Sequence, residues 1–136
     1  MSDGEATTTG HRLYAGDHAA QALGLVLDEV GAGHARISMA VREDMINGHG
    51  ICHGGLIFTL ADTAFAYACN SRAPSVAVHC TIDFLAPARL GERLSAVAAE
   101  TALEGRSGFY DVTVTNECGA TIALFRGVSR QIMRRP

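Results

Sequence analysis

The sequence contains no lysine and no tryptophan, and no long run of apolar residues. The missing lysine rules out Schiff-base chemistry. Any phosphate or carboxylate would have to be held by arginine, by backbone N–H groups or by a helix end. No apolar stretch approaches the ~18 residues needed to span a bilayer. The opening Met-Ser-Asp-Gly-Glu-Ala-Thr-Thr-Thr-Gly lacks the basic and apolar regions of a signal peptide, so residues 1–12 read as a flexible polar tail. Arg134 and Arg135 read as a frayed terminus. The cysteines Cys52, Cys69, Cys80 and Cys118 form no Cys-x-x-Cys pair. They read as reduced thiols of a cytoplasmic protein, not as a disulfide frame. A formal net charge of −3 argues against nucleic acid or an anionic membrane as the main partner.

What is present suits one domain over residues 13–136. The 136 residues are 48% hydrophobic, enough for one core without covalent staples. Residues 17–23 read as a short helix capped by Asp17 and ended by Gly24. Residues 24–30 and 34–41 read as strands around a Gly31-Ala32-Gly33 turn. In the second, Ala35, Ile37, Met39 and Val41 alternate with His34, Arg36 and Ser38, the period of a half-buried strand. Residues 43–53 are a glycine-rich loop. Residues 54–69 are apolar nearly all round and read as a buried helix. Strands are expected at 76–85, 93–103, 109–116 and 120–130. One helix cannot cover both faces of such a sheet. An antiparallel sheet curled around the helix leaves a face that a second subunit would cover, and strands 76–85 and 120–130 are apolar enough for that.

Two features of residues 47–62 carry chemistry. His53-Gly54-Gly55 sits where the loop becomes the helix, and the first N–H groups of a helix lack internal partners and lie at its positive end. Glycine permits close approach to them, so this turn is either a plain entry to the helix or an oxyanion hole. Asp62 lies inside the apolar helix, either on a narrow wet stripe with Thr59 and Thr63 or as a functional acid. It is eight residues past Gly54, roughly 12 Å along a helix axis. A reacting carbonyl must lie within ~3 Å of both donors and attacking group. If both serve one reaction, Asp62 must come from a neighbouring subunit.

The stretch from Asn47 through His53, Gly54, Gly55 and Asp62 to Asn70 resembles the signature of PaaI-type hotdog thioesterases of bacterial phenylacetate degradation. Cys80-Thr-Ile-Asp-Phe-Leu-Ala-Pro-Ala88 resembles the family's strand after the helix, and Ala123-Leu-Phe-Arg-Gly127 its last strand. The resemblance spans roughly residues 12–130. It implies an α+β hotdog fold, a curved antiparallel sheet wrapped around one central helix, assembled as a dimer of dimers with shared sites. It also implies hydrolysis of phenylacetyl-CoA or a ring-hydroxylated relative, with no cofactor beyond the CoA of the substrate. Asp62 falls on the catalytic carboxylate, Gly54 on the oxyanion donor, Asn47 on the asparagine that orients water or carbonyl, and His53 on the histidine before the glycine. Substrate contacts are expected from Gly55, Phe58, Thr59, Cys80 and Thr81, and from Arg106 at the CoA phosphates. Whether Cys80 or Thr81 points inward, and which of Phe58, Phe65, Leu85 and Tyr110 face the thioester, stays open. Asp62 can act as general base or as nucleophile.

Other readings are weaker. Cys52 beside His53 suggests a thiol nucleophile, but sequence neighbours rarely face each other. His49, Cys52 and His53 form no closed ligand set for zinc, and no metal is expected. Gly48-His49-Gly50 lacks the ending of a phosphate loop. Arg89, Arg93 and Arg106 could meet CoA phosphates, but single arginines at strand ends are more often solvated surface. A hotdog hydratase or dehydratase, or a non-catalytic acyl-CoA-binding module, are the alternative functions.

Overall fold

The hydrophobic pattern closes around one helix. The computed structural model describes residues 2–132, so Arg134 and Arg135 lie outside the described residues. Helix α1 spans Asp3–Gly16 and α2 His18–Ala22. Strands β1 and β2 span Val26–Gly31 and His34–Ala40. After the loop comes α3, Gly54–Asn70, followed by β3 Ser75–Phe84, β4 Arg93–Glu104, β5 Ser107–Asn116 and β6 Thr121–Gln131. The strands form one antiparallel sheet in the order β1-β2-β4-β5-β6-β3. This is the expected hotdog architecture, with α3 about 25 Å long inside the curve of the sheet.

The core forms where α3 meets the inner face. Ile57, Leu60, Ala61, Ala64, Phe65 and Ala68 are fully or almost fully buried, as are Ile37, Met39, Ala96, Val112 and Val114 on the strands. Phe65 packs tilted against Tyr110 and Phe125, at 5.6 and 5.7 Å between ring centroids. Its ring lies on the backbone of β6, where a Cβ on Gly127 would come within 2.7 Å of it. The far end of α3 is tied down by side chains. Asn70 bonds both backbone groups of Ser75 at 3.0 and 3.2 Å, and Ser71 Oγ accepts from the Gly33 N–H at 2.8 Å. Arg72 pairs with Glu100 through two bonds of 2.9 and 3.1 Å.

The first residues are not a tail. Ser2 caps α1 by accepting from the Glu5 N–H, and Ala6 and Gly10 are buried. The helix seals the β1 edge of the sheet. Thr7 donates to the Val30 carbonyl at 2.9 Å, Tyr14 to the Leu25 carbonyl at 2.6 Å, and Asp3 accepts from the Ala32 N–H at 2.8 Å. Exposed backbone on an edge strand invites pairing with another chain, and here α1 lies along that edge and bonds Val30 in the strand and Leu25 and Ala32 at its two ends. Among the described residues the other edge, β3, has no such cover. Val76, Val78 and Phe84 on it, with Leu85 just beyond, are each about half exposed.

Candidate active site

Around Asn47 the chain doubles back on itself. Asn47 Oδ1 accepts from the backbone N–H groups of His49 and Ile51 at 2.9 and 3.2 Å, and the Gly50 N–H donates to the Asn47 carbonyl. Gly50 takes a φ of +79°, open to glycine without strain. The side-chain oxygen of Asn47 is thus committed to building the loop. Only its Nδ2 donor remains for anything outside.

The loop delivers His53 as the N-cap of α3. The His53 N–H donates to Met45 and the Cys52 N–H to Ala88, each at 2.8 Å, which fixes the entry angle. The His53 side chain makes no capping bond. Its carbonyl accepts from Leu56 and Ile57. That leaves the Gly54 and Gly55 N–H groups without an acceptor among the described residues, at the positive end of the α3 dipole. The Gly54 N–H lies beside an open cleft of about 440 Å³ that Asn47, Gly54, Ile57, Phe84, Leu85 and Pro87 help to line. Gly55 faces open space, whereas Phe84 touches Gly54 closely enough that a Cβ there would sit 3.0 Å from its ring.

Asp62 projects from the middle of α3, one turn from Phe58 on one side and Phe65 on the other. It is half-buried and no described side chain or backbone group hydrogen-bonds it. Burial holds its carboxyl above the usual carboxylate range. The Cys80 and Cys69 thiols feel its charge. Burial, with Asp62 as a secondary cause, raises Cys80 and pushes Cys69 up to about 12. Burial also raises Cys52, whose sulfur lies 3.6 Å from the carbonyl of His53 while the imidazole is exposed. The Cys52 thiol is thus turned to the His53 backbone carbonyl. Among the described residues no three His, Cys, Asp or Glu side chains gather as metal ligands.

The structure brings Asn47, His53, Gly54 and Gly55 together at one end of α3, with Asp62 about two turns away. Register places Cys80 with Gly127 and Tyr110 on the inner face. Thr81 lies with Arg126 and Asp111 on the outer face, where it cannot meet Asp62 of its own chain. Arg106 sits in the β4–β5 turn beside Gln131, at the sheet end where β3 begins, opposite the glycines. Thr59 and Thr63 each donate to the carbonyl one turn back, leaving only acceptor lone pairs for a ligand. Phe58 is half-buried edge-on to Phe125, 5.4 Å between centroids. Phe65 and Tyr110 are sealed in the core and cannot line a pocket. Phe84 does line one. Sequence reasoning missed it, although alternation from Cys80 through Ile82 puts it on the inner face.

Comparison with known proteins agrees with this geometry. Residues 49–123 match the family model described as the thioesterase superfamily. The chain is 45% identical over 129 residues to acyl-coenzyme A thioesterase PaaI of Escherichia coli, covering 94% of this chain and 92% of that protein. A solved structure of the E. coli PaaI protein from the phenylacetic acid degradation operon superposes with a TM-score of 0.95 at 43% identity, covering 98% and 97% of the two chains. A substituted form of the phenylacetic acid degradation protein PaaI from Thermus thermophilus gives 0.83 at 40% identity, covering 85% and 100%. No helix of the described residues is long and apolar enough to cross a membrane.

Proposed function

The chain belongs to the thioesterase superfamily, and we propose that it hydrolyses acyl-CoA thioesters of the phenylacetyl type, ring-hydroxylated forms included, to the free acid and CoA. The observation that carries this reading is the pair of Gly54 and Gly55 N–H groups, without an acceptor among the described residues, with Gly54 and Asn47 lining one cleft. Such donors stabilise a carbonyl oxygen most strongly once it becomes an oxyanion. The acyl preference is supported by the relatives from phenylacetic acid degradation.

In this reading the thioester carbonyl oxygen sits against Gly54 N–H, with Gly55 N–H and Asn47 Nδ2 at hand. Asp62 is the attacking group or the base for a water molecule. As base it takes a proton from water, whose oxygen bonds the acyl carbon. The C–S bond then breaks, and the proton passes to the departing sulfur to give the CoA thiol. A carboxylate raised by burial binds that proton more readily than one in water.

The roughly 12 Å between Gly54 and Asp62 on one helix requires two chains per site. The uncovered β3 edge supports pairing of two copies there, and we extend this to a dimer of dimers. A hydratase pairs Asp with His on one carbon pair, and no such pair lies on α3, where Asp62 has Phe58, Phe65 and Cys69 near it in its own chain. The test is thiol release from phenylacetyl-CoA. Wild type should free CoA and Asp62→Ala should do so about 10²–10⁴ times more slowly. A wild type that binds the ester without freeing thiol would favour a binding module, and near-normal turnover in the variant would remove Asp62 from the mechanism.

A further inference from the structure

Phe84 is an aromatic side chain left half exposed on the inner face of the sheet, at the end of β3. Phe58, Phe65, Tyr110 and Phe125 pair with one another, whereas Phe84 has no ring partner among the described residues. Its ring tip touches Gly54, whose Cβ, if present, would lie 3.0 Å from Cζ. Gly54 does not have a positive φ, so backbone freedom is not what calls for glycine here. The missing side chain is what lets the ring reach the backbone that carries the oxyanion donor. The cleft between them is lined by Ile57, Leu85, Pro87 and other apolar groups, with Asn47 the one amide and no charged side chain.

Resting on the hydrolase reading, we propose that Phe84 is a specificity-determining residue, and that the cleft beside it takes the ring of an aryl-acyl group. The chemistry of the lining selects among the parts of an acyl-CoA. The phosphates are charged and the pantetheine arm carries two amides, and a wall with one amide side chain matches neither. An aryl ring needs only apolar contact and an aromatic neighbour. Attached to a carbonyl held at the Gly54 N–H, it lies within reach of Phe84. Small acyl groups leave the ring of Phe84 uncovered and gain nothing from it.

The experiment compares kcat/KM for phenylacetyl-CoA and acetyl-CoA, by thiol release, in wild type, Phe84→Leu and Phe84→Ala, with inhibition by free CoA measured alongside. The ratio of phenylacetyl to acetyl should fall about tenfold in Phe84→Ala, in the range of lost aromatic contacts. Phe84→Leu, which keeps apolar bulk and the fold, should fall less but measurably, and carries the test if the alanine variant does not fold. Free CoA should inhibit all three proteins alike. An unchanged ratio would overturn the proposal. So would equal loss on both esters with weakened inhibition by free CoA, which would place the pantetheine arm in the cleft. If wild type frees thiol from neither ester, the hydrolase reading itself fails, and this inference with it.

Discussion

Replacing Asn47 by aspartate separates what this side chain builds from what it does. Its Oδ1 accepts two backbone N–H groups, at 2.9 and 3.2 Å, which close the loop ahead of α3. Aspartate keeps both bonds, because either of its oxygens accepts. It removes the Nδ2 donor and puts a negative charge where an oxyanion develops. Losing one oxyanion donor costs about 10²–10³ in turnover, and the like charge adds to that. Alanine removes the donor and also leaves two loop N–H groups without their acceptor, at about 1 kcal/mol each. Asn47→Asp should therefore lose at least a hundredfold in kcat with KM nearly unchanged and a wild-type melting temperature, whereas Asn47→Ala should lose both activity and stability. Steady-state kinetics on phenylacetyl-CoA and thermal unfolding at one protein concentration measure both. If Asn47→Asp keeps kcat within threefold of wild type, the amide is a loop-former and its assignment as a donor to the carbonyl is wrong.

Asp62→Asn should make the protein inactive and more stable. Burial holds the carboxyl above the ordinary range, so the folded chain keeps a proton that the unfolded chain releases, and stability falls as pH rises through that window. The gain in melting temperature should be present at pH 7 and vanish below the ordinary carboxylate pKa, and an equal gain at both would refute the argument. Gly127→Ala places a methyl 2.7 Å from the ring of Phe65, and should lower the urea unfolding free energy by about 1–3 kcal/mol. An unchanged urea midpoint would mean that Phe65 swings aside without cost.

The strands and the buried helix are legible because their periods differ. Ala35, Ile37 and Met39 alternate inward in β2, and the all-round apolar stretch after Gly54 has no polar face to offer solvent. The site loop is legible because glycine, asparagine and an uncapped helix start are local features. Helix α1 is not legible from propensity, since Gly4, Gly10 and the three threonines are poor helix formers. Its stability comes from bonds to the β1 edge, which no local window contains. Its one local trace is the spacing of Ser2 and Glu5, the pattern of a capping box. Thr81 was expected at the site from the resemblance of its strand to the family's, and Arg106 as a cation for the CoA phosphates. Strand alternation turns Thr81 outward, and antiparallel order carries Arg106 to the far end of the sheet. Phe65 was a candidate for the pocket because an aromatic on a helix looks alike whether it faces a ligand or a strand. The glycine at 127 that receives its ring is 62 residues away.

The central claim is that one site takes Asn47 and Gly54 from one chain and Asp62 from another, and subunit mixing tests it most directly. Asn47→Ala and Asp62→Ala would each be purified inactive, mixed in equal amounts and allowed to exchange, with exchange followed by mass-tagged subunits. A mixed dimer then holds one site with both lesions and one with neither. Half the dimers are mixed, so activity should return towards about a quarter of wild type, for random exchange and independent sites. Demonstrated exchange with no activity returned would place the whole site in one chain and contradict the account.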